Sequence, residues 1–236
     1  MRQAKTFRSK KDFVYETLRD QILNGDLVPG TRLIIDDLAS ELGVSQIPVR
    51  EALQQLQADR FVTIEPYIGA RVAEIHEGLV HEVFELMQAM ELISGRAACQ
   101  KMTDADFLEM EGLVVRMDTN VDDLEQWSQD NVRLHQLICE KAEMSLVQDL
   151  LLHVQDHWQW LRRYYLEDVF ALRIKKAQQD HWELLAALRT HDPNYVTNVI
   201  SQHNQSALND YLHYLDQLEQ AEDSVDASKQ HSTISS

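Results

Sequence analysis

Residues 35–60 read IDDLASELGVSQIPVREALQQLQADR, and the fold turns on this stretch. Leu38, Ala39 and Leu42 recur at helical spacing, and Gly43 ends that short run. Ser45 then opens a second helix as its N-cap. Pro48 is tolerated there because a first-turn N–H has no intrahelical partner. Val49, Leu53 and Leu56 give this helix a buried stripe. Two helices joined by a glycine turn make a helix-turn-helix unit, whose second helix offers its first turn to base edges in the major groove. With Val49 turned inward, Gln46, Ile47 and Arg50 point outward beside the N-cap Ser45. Arg forks onto guanine O6/N7 or a phosphate, and Gln pairs with adenine. The plain alternative is that Arg50 is a solvated residue paired with a carboxylate.

Upstream, residues 11–24 (KDFVYETLRDQILN) place Val14, Leu18 and Ile22 on one helical face, with Gly25 as a stop and Pro29-Gly30 as a turn. Downstream, residues 61–64 and 70–72 are β-like and are joined across Pro66–Gly69. Three helices and a hairpin predict a winged helix-turn-helix over residues 1–72. The hairpin adds Tyr67, Gly69 and Arg71 as candidates facing DNA. From residue 78 to about 218 apolar residues keep a helical period through six segments: 78–101, 104–117, 122–142, 145–168, 170–190 and 193–218. Asp192-Pro193 is a restart, an N-cap followed by Pro at the first helical position. The expected fold class is therefore mostly α: the winged domain, a linker at 73–77, and an all-α bundle. The polar, Ser-rich residues 219–236 have little to bury and are expected to be disordered.

The charge is divided between these parts. The chain has 22 Lys+Arg against 39 Asp+Glu, a net charge of −17. Residues 1–72 hold 10 of each, so the whole excess lies in the second part. DNA contact is thereby left to the first part, where Arg2, Lys5, Arg8, Lys10 and Lys11 suggest an arm that meets phosphates. No apolar run approaches the roughly 18 residues of a membrane span. The basic N-terminus leads into no apolar signal region. The two cysteines, Cys99 and Cys139, form no CxxC pair. A disulfide framework and a cysteine zinc finger are excluded, and a cytoplasmic protein is expected.

Histidines carry the chemistry of the second part. Asn131 and His135 lie four apart on one helix and leave the same face. His181 and His203 are equidistant in sequence from the turn at Asp192. In an antiparallel hairpin they stand level, about 16 Å from the turn at 1.5 Å per residue. Three imidazoles beside an amide oxygen suit Zn, Ni, Cu or Fe(II) inside a bundle, and a divalent transition metal, Zn or Ni, is expected. The alternative is core or surface histidines in coincidental register. There is no HExxH, GxSxG or Gly-rich phosphate loop. A three-His centre could still activate water for hydrolysis, but no general base stands near, since Glu183 falls on another face from His181. A non-enzyme is expected; the competing readings are a metal-dependent hydrolase carrying a DNA-binding module, and a regulator whose bundle only dimerises.

Residues 14–72 resemble the winged-helix domain of GntR-family bacterial transcription regulators, through ILNGDLVPG, LASELGVS and PVREAL in order. The remainder is similar to the FCD domain of the FadR subfamily, through VFELMQAMELISGRAA, NVRLH, and DHWELLAAL followed by QHNQSAL. The resemblance implies a homodimer on a palindromic double-stranded operator, acting as a repressor by family habit. It implies a small effector, often a carboxylate, bound in a helical domain that holds a metal. The ligands it implies are Asn131, His135, His181 and His203, the same four residues. Four departures stand out: Gln46 where a basic residue is usual, Arg60 where Gly is usual, Asn131 in place of Asp, and Met87 where an Arg commonly faces the effector carboxylate. Arg162, Arg163 or Arg173 could replace that Arg. The effector site is expected around Met87, Arg162 and Tyr165, with Trp158, Trp160 and Tyr164 as available rings.

Overall fold

The computed structural model describes residues 9–233, and of Glu77, Tyr165, Leu218, Glu219 and residues 221–233 the backbone alone. Arg2, Lys5 and Arg8 of the basic arm lie outside the described residues; Lys10 and Lys11 open the first helix. The chain divides into two compact units. The first contains the N-terminal residues to His76 together with Gln159–Tyr165, and the second the rest.

In the first unit, α1 (Lys10–Asn24), α2 (Ile35–Glu41) and α3 (Gln46–Ala58) are followed by strands β2 (Val62–Glu65) and β3 (Gly69–Val72). The α1 ends are chemically explicit. The Ser9 side chain accepts from the Asp12 N–H, and Gly25 ends the helix at φ +94, a conformation that costs glycine little. Val14, Leu18, Ile22, Val49, Leu53 and Leu56 are all buried, at 1% exposure or less. The Tyr15 hydroxyl donates to Asp59 Oδ2 at 2.6 Å and ties α1 to the end of α3. Ser45 precedes α3 in extended backbone but makes no side-chain capping bond, so its role as a hydrogen-bonding cap is not fulfilled. Leu42 is only half-buried.

Sequence reading missed one strand. β1 (Arg32–Leu33) pairs with β3 and makes a three-stranded antiparallel sheet in the order β1-β3-β2. Two residues are too few to show a period of two, and only the partner strand reveals them. Arg60 adopts the left-handed conformation at φ 63, where glycine would be unstrained. A second difference concerns the end of α7 (Ser145–Tyr165). Its last residues belong to the first unit, where Trp160 meets Phe61 edge-on at 5.6 Å. The Tyr164 hydroxyl there donates to the carbonyls of Ile22 and Leu27, each at 3.3 Å.

The second unit is all-helical among its described residues: α4 (Glu77–Ala98), α5 (Asp104–Thr119), α6 (Leu124–Ala142), most of α7, α8 (Glu167–Arg189) and α9 (Pro193–Thr233). Thr103 and Asp106 form a reciprocal capping box at the start of α5. Asp123 caps α6. Asp192 Oδ1 accepts from the N–H groups of Asn194 and Tyr195, which starts α9 at the predicted place. Helix α9 runs on to Thr233, past residue 218 where the bundle was expected to end. No proline or glycine follows Pro193 to stop it.

The core joins α4, α5, α6, α8 and α9 through Ala98, Met110, Leu134, Leu137, Leu184, Leu188, Val196 and Ile200. Close approach of α4 and α9 depends on Gly95. A Cβ there would stand 2.3 Å from Ile200 Cδ1 and 3.4 Å from Val196 Cγ1. Gly95→Leu is expected to destabilise the protein by about 1–3 kcal/mol through overpacking, read as a fall in Tm of several degrees. An unchanged Tm would mean that α4 and α9 have room to separate.

Candidate DNA-reading surface and metal centre

The first turn of α3 divides into a buried and an exposed side. Pro48 and Val49 are buried, while Ser45, Gln46, Ile47 and Arg50 are exposed, Ile47 at 68%. Ile47 is an apolar side chain held in water, as contact with a thymine methyl would use it. Arg50 Nη2 donates to Gln46 Oε1 at 3.4 Å, and Gln46 Nε2 donates to Asp36 Oδ1. On the wing, Tyr67 is fully exposed at the turn with φ 66, beside Gly69 at φ 105. Arg71 projects from the exposed face of β3, opposite Arg32 of β1. Arg71 Nη1 donates to Gly30 O at 3.2 Å and Arg32 Nη2 to Ile68 O at 3.3 Å. Arg32 was not anticipated, because its neighbour appears only once β1 is paired.

In the second unit three histidines converge. The donor nitrogens of His135 (α6), His181 (α8) and His203 (α9) all lie within 4.8 Å of one another. Their ring centroids are 5.2–5.6 Å apart. Carboxylates fix two of the rings. His135 Nδ1 is 3.0 Å from Glu91 Oε1, and His203 Nδ1 is 3.1 Å from Asp180 Oδ2. A carboxylate on Nδ1 sets the tautomer and leaves Nε2 as the ligating atom. His181 is fully buried, and neither of its nitrogens has a hydrogen-bond partner. Two unpartnered polar atoms in a core are costly unless something else binds there. Trp127 stacks on the His181 ring at 5.7 Å.

Electrostatics favour the neutral imidazole at His181 and His203. Burial, with the two neighbouring histidines, holds His181 well below the usual histidine range. Burial also lowers His203, although the Asp180 hydrogen bond opposes it. Burial would lower His135 too, but the Glu91 carboxylate outweighs it and the net shift is upward. Glu91 itself is lowered: burial works against its charge, and His135 and Asn204 overcome the penalty. Glu91 had no role in the sequence reading; one acid inside an apolar helix carries no spacing signal beyond standing four residues after Met87.

A cavity opens beside these histidines. Met87, Glu91, Asn131, His135 and His203 line it. Its walls are aromatic: Phe84, Trp127, Trp158, Phe170 and Tyr211. The effector-site expectation for Arg162 needs correction. Arg162 is buried in the first unit and does not line the cavity. It lies one helical turn, about 6 Å, past Trp158, the last α7 residue of the second unit. Trp160 and Tyr164 are likewise in the first unit, and the Tyr165 side chain lies outside those described. Arg173 lines the cavity instead, with its Nε bonded to Asp210 at 2.9 Å.

Family models match both parts of the chain: "Bacterial regulatory proteins, gntR family" over residues 10–72, and the FCD domain over residues 82–206. The HTH-type transcriptional regulator McbR of Escherichia coli (strain K12) is 26% identical over 186 residues, covering 76% of this chain and 82% of McbR. The transcriptional repressor GlaR of the same organism is 28% identical over 200 residues, covering 80% and 90%. The structure of E. coli McbR/YncC superposes with a TM-score of 0.67 at 23% identity, covering 88% of this chain and 100% of that one. A GntR transcriptional regulator from Rhodococcus sp. RHA1 gives the same TM-score at 20% identity, covering 86% and 98%. These two likenesses speak for the fold. None of the described helices is long and apolar enough to cross a membrane. With a gntR-family match over its winged helix, and an FCD match across more than half its length, the chain belongs to the gntR family of bacterial transcription regulators.

Proposed function

We propose that the chain is a homodimeric repressor of a palindromic operator, and that a small effector bound beside a metal in the helical unit sets its affinity for DNA. The observation that carries the metal reading is His181, buried with both nitrogens unpartnered between two carboxylate-backed histidines. His135, His181 and His203 would hold the ion, with Asn131 beside them as a neutral oxygen donor. Such a donor set suits Zn or Ni. A bound divalent ion supplies a Lewis-acidic seat for an effector oxygen. The protein's own residues do the rest: Glu91 and Asp180 orient two imidazoles, Trp127 covers the third, and the aromatic walls exclude water.

The effector follows from the lining. Met87 offers only an apolar, adaptable surface. The Arg173 guanidinium is already committed to Asp210, Asp180, Ser206 and the His203 carbonyl. A buried anion without a counter-charge is costly. The favoured ligand therefore has an apolar or aryl body against Met87 and an acid or carbonyl group at the metal. Trp127 and Trp158 support this: both line the cavity, and both indole N–H groups are buried without an acceptor. Effector binding moves the DNA equilibrium to the extent that it prefers one dimer arrangement over another. The two carboxylates beside the histidines, Glu91 and Asp180, are both engaged with imidazole Nδ1 atoms, which favours a binding centre over a hydrolytic one.

Arg50→Ala is expected to cost about 1–3 kcal/mol of operator affinity if Arg50 reads a base edge. Unchanged gel shifts from a folded variant would remove it from the reading set. For the metal, His135→Ala, His181→Ala and His203→Ala should each lower metal content and the Tm gained with Zn or Ni; full occupancy in all three would remove the site. Asn131→Asp should tighten binding by adding an anionic ligand, and no change would place Asn131 outside the coordination shell. Protons compete for imidazole, so affinity should fall as pH drops. His135 has the raised pKa and keeps its proton to the highest pH, so the fall starts with it. Glu91→Gln removes the charge that raises His135 and should move the fall to lower pH. An unshifted profile would mean that Glu91 does not govern His135.

For the effector, calorimetry with phenylacetate, octanoate and succinate on metal-loaded and metal-stripped protein should show binding of the apolar monoacids, and only with metal. A small dicarboxylate that binds equally well in both forms would contradict this reading.

A further inference from the structure

The reading edge of α3 contains a chain of three side chains that begins on another helix. Asp36 lies in the first turn of α2, while Gln46 and Arg50 lie four apart on α3 and share one face. Gln46 Nε2 donates to Asp36 Oδ1, and Gln46 Oε1 accepts from Arg50 Nη2 at 3.4 Å. Both ends of the amide are thus engaged. All three residues are exposed on the edge that offers Arg50 to DNA.

An acid at this edge is unfavourable for DNA affinity in itself, because phosphates repel it and Lys or Arg there would release counterions. The second acid in the same turn, Asp37, has the same charge and the same place at the helix terminus, but Asp36 is the one hydrogen-bonded to Gln46. Reading adenine takes one amide N–H and one amide oxygen together. In this chain the N–H side is directed to Asp36 and the oxygen to Arg50. The guanidinium, with five donors, keeps others for guanine O6/N7.

We propose that Asp36 is a specificity-determining positioning residue, which holds Gln46 so that Gln46 orients Arg50 onto a guanine rather than reading an adenine of its own. Gln46 is a bracket between α2 and the reading Arg. The operator consequently has a guanine at the position that depends on Arg50. Loss of Asp36 or of Gln46 relaxes that same position.

The test is selection from a random-duplex library by the full-length wild type and by Asp36→Ala, Asp36→Asn, Asp37→Ala, Gln46→Ala and Arg50→Ala, with a melting curve for each. The position whose preference disappears in Arg50→Ala identifies the Arg50 contact. The wild type should prefer guanine there. Asp36→Ala and Gln46→Ala should each reduce that preference by about five- to tenfold, a part of the discrimination a bidentate Arg–guanine pair provides. Asp36→Asn keeps a side-chain acceptor and should retain most of it. Asp37→Ala removes an equal charge and should leave it intact. Three results would overturn the proposal: an adenine preference at a separate position lost only in Gln46→Ala; full discrimination at the Arg50 position in Asp36→Ala; or the same loss in Asp37→Ala as in Asp36→Ala, which would reduce the effect to charge.

Discussion

The buried carboxylate of Glu91 ties α4 to α6 and α9, two of the three helices that carry the histidines. From α4, one oxygen meets His135 of α6 at 3.0 Å and the other accepts from Asn204 of α9 at 2.8 Å. A carboxylate with 5% exposure is tolerated only when its charge is paired and its oxygens are bonded. That requirement fixes the register of α4 against both neighbours. Gly95, one turn further along α4, lets α9 come close enough for Asn204 to reach. His203 precedes Asn204 and so takes its place in the cluster by the same contact.

From this constraint the rest of the centre follows. The turn at Asp192 returns α9 along α8, and His181 and His203 come level as equal sequence distances require. Asp180 then fixes His203 as Glu91 fixes His135. Between them His181 has neither a carboxylate nor a hydrogen bond, and Trp127 stacks on its ring. A buried polar ring with two unpartnered nitrogens is the residue that a bound ion would complete.

The sequence reading was strong where geometry follows from spacing alone. Val14, Leu18, Ile22, Val49, Leu53 and Leu56 mark helix faces, and Asp192-Pro193 marks a turn, by rules local to a few residues. The histidine register was legible because one turn relates two helices. Contacts between distant elements were not. β1 has two residues and exists only through β3. Glu91 is one acid among apolar neighbours, with partners 44 and 113 positions away. Arg162 and Trp158 share a helix face, yet one further turn places Arg162 in the other unit. The run of α9 beyond residue 218 was misjudged because polarity was given more weight than the absence of any helix breaker.

The central claim is that three imidazoles bind a metal in the helical unit. X-ray absorption on protein purified without a histidine tag tests it most directly. The account predicts a Zn- or Ni-edge spectrum with nitrogen scatterers at about 2.0–2.1 Å, the distance of metal–imidazole bonds, and the outer-shell pattern of three imidazole rings. A protein without bound transition metal after exposure to Zn and Ni, or a spectrum of oxygen ligands with no imidazole, would contradict it.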